Sequence, residues 1–233
     1  MPAKQLLDDS VTLSPYDVLA SGVPGLPTHG MLFAGNEVCE NVSGGTGVSV
    51  THMKPPLKDG QAEFQFWGSA ELDANERRLI KDFVDSQRQA VLASEKRSRI
   101  EQYVIYQEDD DITPEDTLPR YSCATYVTSA YEQAAIELVV GPLPLKNAEQ
   151  LKSIYTDPQI QSAIDDPDKR HQLGIGNGTE WPIMMVGYLL NSLSRSPGEI
   201  RNNPYQPVEG DEYFPRQGSN IAPESTSKSG GKK

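Results

Sequence analysis

The sequence predicts an α+β fold, in which an antiparallel sheet packs against a helix that begins at Cys123. Short runs of alternating apolar residues between positions 28 and 67 are typical of strands. Gly35-Asn36 separates two of these runs and favours a tight hairpin turn. After residue 72, and again after Cys123, apolar residues recur at steps of three and four, which indicates helices with one buried face. Because the strands are short and close in sequence, we expect them to form one sheet.

Composition limits the class of protein. The chain has 233 residues, enough for one large domain or two small ones, and its hydrophobic content of 36% supports a core. A formal charge of -12 argues against nucleic acid or anionic membranes as main partners, because both bind basic patches. With two cysteines, no disulfide scaffold is expected, which favours a reducing compartment. No secretory signal and no transmembrane segment is recognisable, so the predicted location is cytoplasmic, although export by a signal-less route is compatible with these features.

The strands and helices follow in order along the chain. The segment 1–27 is predicted to be an irregular lead-in, because proline and glycine interrupt it. Predicted strands cover 28–34, 37–42, 48–53 and 62–67, and a helix covers 72 to about 100. Asp73 followed by Glu76 resembles a capping box at the start of that helix. An acidic, proline-containing connector then leads into the helix at Cys123.

The remainder of the chain is predicted to be helical and then unstructured. Helices are expected at 147–155 and 158–164, and the apolar segment 181–193 is expected to pack on the core. From residue 204 the chain is rich in Pro, Gly, Ser and Lys, so 204–233 is predicted to be a largely disordered tail. The predicted organisation is therefore a lead-in at 1–27, one domain at 28–203 and a tail.

Cys123 is the first candidate for chemistry. Ser122 is a plausible N-cap, which places Cys123 in the first turn of its helix. There the positive end of the helix dipole favours the thiolate, the reactive form of cysteine. The alternative is a small thiol that only fills space in the core. Partner residues are needed to decide between the two.

The hairpin supplies such partners. If Gly35-Asn36 forms a two-residue turn, His29 and Glu40 lie on the same face of the sheet as diagonal neighbours. Burying an imidazole and a carboxylate on an apolar face costs free energy unless the two groups pair with each other or have a function. If the helix of Cys123 packs there, the three side chains assemble, with His29 accepting the thiol proton and Glu40 orienting the imidazole.

Several other residues are candidates for the site or lie close to it in the sequence. Tyr121 and Ser122 adjoin Cys123 and are predicted to contact substrate. His52 is a substitute base if the strand register differs, whereas Cys39 points to the other sheet face and is expected to serve packing. His171 is expected to be exposed. The few, widely spaced His and Cys residues form no zinc pattern, and no cofactor is predicted.

The order of these motifs resembles a known family. His29, Gly35-Asn36, Val38-Cys39-Glu40 and a later Ser-Cys-Ala-x-Tyr-Val-x-x-Ala-Tyr segment that begins at Ser122 resemble the circularly permuted NlpC-type papain-like cysteine hydrolases. Relatives of that family include lecithin:retinol acyltransferase-like proteins. The resemblance covers about residues 28–140 and implies a permuted papain-like fold, with Cys123 as nucleophile, His29 as base and Glu40 as third residue. The Gly-Leu-Pro-Thr before His29 departs from the family's usual Gly-Asp.

The favoured prediction is a thiol hydrolase, a peptidase or amidase that works through a covalent acyl-enzyme. The resemblance implies an amide substrate such as a peptide or a cell-wall cross-link, and a lipid amide or ester, or acyl transfer, is the alternative. One oxyanion donor is expected to be the backbone N–H of Cys123, and a second is not identifiable. Two other classes stay open: an inactive relative that binds a ligand, and an interaction protein in which Cys123 and His29 lie far apart. Oligomeric state is not determined.

Overall fold

A five-stranded antiparallel sheet forms the centre of the fold. The computed structural model describes residues 12–23, 25–34, 37–41, 48–52, 66–93 and 121–214. The strands run in the spatial order β4-β3-β2-β1-β5, with bounds β1 (Val18–Val23), β2 (Leu26–Ala34), β3 (Glu37–Asn41), β4 (Val48–His52) and β5 (Phe66–Gly68). A separate pair joins β6 (Leu145–Asn147) to β7 (Glu180–Pro182). Together with the helices, this arrangement confirms the α+β class.

The predicted hairpin has the predicted register. Phe33 pairs with Val38 and Ala34 with Glu37, as a two-residue turn requires. The turn itself, at 35–36, lies outside the described residues. β4 then pairs with β3. The predicted strand at 62–67 is described only from Phe66, and it joins the same sheet by pairing with β1.

The prediction that residues 1–27 are irregular is wrong for their second half. β1 lies between β2 and β5, and its residues Val18, Leu19 and Ala20 are fully buried. A strand buried on both faces shows no alternation of apolar and polar residues, so its periodicity does not identify it. Pro15 and Pro24, which flank this run, suggested a loop because proline interrupts regular structure.

Seven helices are present in the described residues. The bounds are α1 (Ala74–Ala93), α2 (Cys123–Glu132), α3 (Ala148–Ile154), α4 (Pro158–Asp165), α5 (Arg170–Leu173), α6 (Val186–Leu193) and α7 (Pro197–Asn202). The predicted capping box of α1 is confirmed: the Glu76 N–H donates to Asp73 Oδ1 at 2.8 Å, and the Asp73 N–H donates to Glu76 Oε2 at 2.7 Å. Residues 94 to about 100 of this predicted helix lie outside the described residues.

Two apolar cores hold these elements together. The first lies between the large sheet and α1, α2 and α6, and α2 and α6 both pack on β2. The second is formed by α3, α4, α5, β7 and α6. Met184, just before α6, packs against both cores. The helices expected at 147–155 and 158–164, and the buried segment at 181–193, are confirmed as α3, α4 and β7 with α6.

Residues 204–214 belong to the folded body, which corrects the predicted tail at 204–233. Phe214 is 3% exposed and meets Phe66 edge to face, with ring centroids 6.0 Å apart. The amide of Asn191 donates to the carbonyls of Asp211 and Tyr213 at 2.9 and 3.0 Å. Composition did not reveal this segment, because backbone contacts of this kind do not require apolar side chains. Residues 215–233 lie outside the described residues.

The helices in the described ranges are too short or too polar to cross a bilayer.

Candidate active site

Cys123 is a free thiol at the first position of α2. Ser122 caps this helix: its Oγ accepts a hydrogen bond from the Thr125 N–H at 3.2 Å, and Thr125 Oγ1 accepts one from the Ser122 N–H at 2.8 Å. This reciprocal capping box satisfies two backbone donors and fixes the start of the helix. The half-buried sulfur therefore lies at the positive end of the helix dipole, as predicted from sequence.

An irregularity in the sheet lies beside the sulfur. Ser21 of β1 pairs with His29, but the next residue, Gly22, pairs with Pro27, so Thr28 is an extra residue in β2. The Thr28 carbonyl accepts a hydrogen bond from Cys123 Sγ at 3.8 Å. A Cβ on Gly22 would lie 2.4 Å from the Leu26 carbonyl oxygen, so only glycine fits here. The bulge thus brings the backbone of β2 to the nucleophile helix.

His29, next to the bulge, makes a hydrogen bond with the Cys123 side chain. Burial raises the pKa of the Cys123 thiol, while the hydrogen bond and charge of His29 and the N–H groups of Gly30 and Ala124 lower it. The lowering effects prevail, so the thiol pKa is below its ordinary value. The structure therefore brings together the predicted nucleophile and the predicted base, two residues from distant parts of the sequence.

One tyrosine outside the predicted site, Tyr155, also has an altered pKa. It follows the last turn of α3, is half-buried and packs against the second core. Burial, followed by the charge on Cys123, raises the pKa of the Tyr155 hydroxyl.

Three predicted residues lie in strands whose side chains are outside the described part of the structure. Glu40 lies in β3 opposite Ser49, and Cys39 lies opposite Leu32 and Val50. His52 is the last residue of β4. The roles of Glu40 as third residue, His52 as substitute base and Cys39 as packing residue therefore stay predictions. His171 on α5 is exposed, as expected.

Ser122 and Tyr121, predicted to contact substrate, have structural contacts. Ser122 is 3% exposed and its hydroxyl is engaged by the helix cap, which accounts for its position without a ligand. The half-buried ring of Tyr121 packs edge to face on Phe83 of α1 and on Tyr126, with centroids 6.2 and 5.8 Å apart. These contacts anchor the start of α2 against α1.

The described residues contain no group of three or more His, Cys, Asp and Glu side chains that could hold a metal ion. Comparison of the chain with protein-family models, curated proteins and solved structures finds no match. The function is therefore argued from the site: a thiol of lowered pKa, hydrogen-bonded to an imidazole at a helix start, can act as a nucleophile towards a carbonyl carbon.

Proposed function

We propose that this protein is a cysteine hydrolase that cleaves an amide or ester through a covalent acyl-enzyme. The observation that carries the proposal is the hydrogen bond between His29 and Cys123 at the start of α2. Nucleophile and base within hydrogen-bond reach of one another are typical of covalent catalysis by cysteine. A cysteine that only fills space in the core needs no imidazole partner.

The reaction follows from these two side chains. The Cys123 thiol gives its proton to His29, and the thiolate attacks the substrate carbonyl carbon to form a tetrahedral oxyanion. As the oxyanion collapses, the bond to the leaving nitrogen or oxygen breaks, and the imidazolium of His29 protonates the leaving group. His29 then takes a proton from water, which attacks the thioester; the acid leaves and the thiol is restored. An alcohol or amine in place of water would give acyl transfer.

The family resemblance extends the proposal. The motifs around His29, Glu40 and Cys123 resemble the permuted NlpC-type papain-like hydrolases. In this proposal Glu40 orients the His29 imidazole and stabilises its charged form. The resemblance favours a peptide or cell-wall amide as substrate, with a lipid amide or ester as alternative. The formal charge of -12 adds a mild bias towards neutral or basic substrates.

The pH dependence of alkylation at Cys123 tests the proposal. The native protein and His29→Ala are treated with iodoacetamide, and labelling of the Cys123 peptide is followed by mass spectrometry. We expect rapid labelling well below the free thiol pKa of about 8.5 in the native protein. We expect it to be lost in His29→Ala, because the charge and hydrogen bond that lower the thiol pKa are removed.

His171→Ala is the matched control, since it removes an exposed imidazole from α5 and should leave the profile unchanged. An ordinary thiol profile in the native protein, unaffected by His29→Ala, would refute the catalytic proposal and leave a binding or interaction domain.

A further inference from the structure

The loop between α5 and β7 is fixed at two points. The Trp181 indole N–H donates to the Gly176 carbonyl at 2.9 Å, and Arg170 Nη1 donates to the Gly178 carbonyl at 3.0 Å. The Arg170 guanidinium also lies over the Trp181 ring, with its central carbon 4.9 Å from the ring centroid. Trp181 is 1% exposed and belongs to the second core. These contacts join the loop to the core on both sides of Asn177.

Asn177 itself is exposed and is held by no such contact. It lies in a bend outside the helices and strands, and the following residues Gly178 and Thr179 are exposed as well. In the described part of the chain, the Asn177 side-chain amide and the Gly178 backbone N–H have no hydrogen-bond partner. A side chain without such a bond rotates among its rotamers, and rotation brings the Asn177 Cγ towards the backbone nitrogen that follows it.

Gly178 leaves the path to this nitrogen open. Its φ is +146°, a backbone conformation that L side chains rarely adopt, so glycine is required here. Because Gly178 has no Cβ, no side chain shields its own backbone nitrogen. Arg170 adds a positive charge beside this glycine, and a nearby cation favours loss of the proton from the Gly178 N–H.

We propose that Asn177 is a site of spontaneous deamidation, a covalent modification that converts its side-chain amide to a carboxylate. Asparagine is one of the thermolabile residue types in proteins. The Gly178 nitrogen attacks Asn177 Cγ and forms a cyclic succinimide. The Cγ–Nδ2 bond breaks, and Nδ2 leaves as ammonia with the proton of the Gly178 N–H. This inference is independent of the proposed function.

Water then opens the succinimide at either of its two carbonyl carbons. Attack at Cγ gives aspartate with the ordinary main-chain linkage. Attack at the backbone carbonyl carbon of residue 177 gives isoaspartate, in which the main chain runs through the former side chain. Each product takes up one water for the ammonia that is lost, and each carries a new negative charge at neutral pH.

The isoaspartate linkage is expected to disturb the second core. It inserts a methylene group into the main chain just before Gly178, which displaces the carbonyl that Arg170 binds. Arg170 also donates to the Ile164 carbonyl of α4 at 2.8 Å and covers the Trp181 ring. We expect the isoaspartate form to unfold at a lower denaturant concentration than the unmodified protein, because Arg170 no longer holds the loop on α4.

Peptide mapping of the aged protein tests the proposal. The full chain is incubated at physiological temperature and mildly alkaline pH, and each asparagine-containing peptide is followed by mass spectrometry. Isoaspartate is detected by its methylation with an isoaspartyl methyltransferase. We expect the Asn177 peptide to lose its amide with time and to contain both aspartate and isoaspartate.

Asn147 is the matched control within the same chain. Its Oδ1 accepts a hydrogen bond from the Gln150 N–H at 3.0 Å, and Ala148 follows it in place of glycine. We expect the Asn147 peptide to keep its amide throughout the incubation.

Two variants separate the reaction from its consequence. Asn177→Gln should abolish the modification at this position, because ring closure on the longer side chain is much slower. Freshly prepared Asn177→Asp carries the new charge with an ordinary main-chain linkage. We expect it to unfold at the same denaturant concentration as the fresh native protein, whereas the aged isoaspartate fraction unfolds at a lower one.

The contrary outcomes are specific. If the folded protein keeps the Asn177 amide while the urea-unfolded chain loses it, the loop protects the residue and the proposal is overturned. Equal deamidation at Asn147 would overturn it as well, because the reaction would not depend on this loop. A product with aspartate alone would exclude the succinimide, since direct hydrolysis yields no isoaspartate. Identical unfolding of the aged isoaspartate fraction and the fresh protein would refute the effect on the second core.

Discussion

At Cys123, burial and hydrogen bonding act on the thiol in opposite directions. Burial alone would raise the thiol pKa and make the sulfur inert, which is the expected state of a cysteine in a core. The imidazole of His29 and two backbone N–H groups outweigh burial. The Ala124 N–H depends on the exact start of α2, which the Ser122 cap determines, whereas His29 and Gly30 belong to β2. Reactivity at this residue thus depends on the start of α2 and on the approach of β2.

Loss of the cap should therefore be measurable. We expect Ser122→Ala to lower the free energy of unfolding by about 1 kcal/mol, because the Thr125 N–H loses its acceptor where the site is largely buried. Ser129→Ala, in the middle of the same helix, should change stability little, since alanine has the higher helix propensity. Chemical denaturation followed by circular dichroism gives both values. Equal stability of Ser122→Ala and the native protein would contradict the capping role.

At the scale of elements, the bulge between β1 and β2 determines which groups reach the sulfur. The extra residue Thr28 displaces the pairing by one position just before His29. Bulges redirect side chains and are frequent beside active sites. Here the Thr28 carbonyl and the His29 imidazole both contact Cys123. His29 itself keeps its regular pairing with Ser21, and the bulge places the Thr28 carbonyl next to it at the sulfur.

A side chain at Gly22 should disturb this arrangement. In Gly22→Ala the new Cβ would lie 2.4 Å from the Leu26 carbonyl oxygen and 2.8 Å from the Thr28 nitrogen, both backbone atoms. We expect a loss of about 1–3 kcal/mol in the free energy of unfolding, the usual cost of overpacking. We also expect slower alkylation of Cys123 near neutral pH, because His29 moves with the strand.

Gly198→Ala is the control for this substitution, since a Cβ at Gly198 in α7 would meet no atom within 4 Å. It should be neutral or stabilising, because alanine favours a helix. Unchanged stability and unchanged alkylation in Gly22→Ala would contradict the account of the bulge.

At the level of the whole molecule, the segment 204–214 contacts both the large sheet and the separate pair of β6 and β7. Phe214 contacts Phe66 beside the large sheet, while Glu212 accepts a hydrogen bond at 2.8 Å from Lys146 of β6. The Lys146 side chain is 1% exposed and the Glu212 side chain 10% exposed. A Cβ on Gly187 of α6 would lie 2.1 Å from the Glu212 carbonyl oxygen, which shows how closely this segment approaches the helix.

The buried ion pair offers a test of this connection. We expect Lys146→Met to lower the free energy of unfolding by about 3–5 kcal/mol, because it leaves the Glu212 carboxylate buried without its cation. Lys146→Met combined with Glu212→Met should recover part of that loss, since no unpaired charge remains. Denaturant titration of the single and double variants measures the difference.

The exposed pair of Arg78 and Asp82 on α1 is the control. Its removal by Arg78→Ala should change stability far less, because solvent screens the charges. A cost for Lys146→Met as small as that of Arg78→Ala would contradict the structural role of the C-terminal segment.

Features that depend on neighbours in sequence were predictable. The register of the β2–β3 hairpin follows from a two-residue turn, and the caps of α1 and α2 follow from Asp73, Glu76 and Ser122. The same register placed His29 on a sheet face where the helix of Cys123 could meet it. Hydrophobic periodicity, turn length and helix capping each depend on a few neighbouring residues. They can therefore be recognised directly in the sequence.

Features that depend on distant parts of the chain were not predictable. β1 is buried on both faces, the segment 204–214 packs through backbone contacts and the Phe214 ring, and the Thr28 carbonyl of β2 reaches Cys123. The α+β class, the main helices, the hairpin register and the candidate pair of Cys123 and His29 could be predicted from local patterns in the sequence. The position of β1, the extent of the folded body and the contacts of β2 with Cys123 depend on tertiary packing. Burial and long-range contacts arise when separate elements pack, and no local pattern records which surfaces will meet.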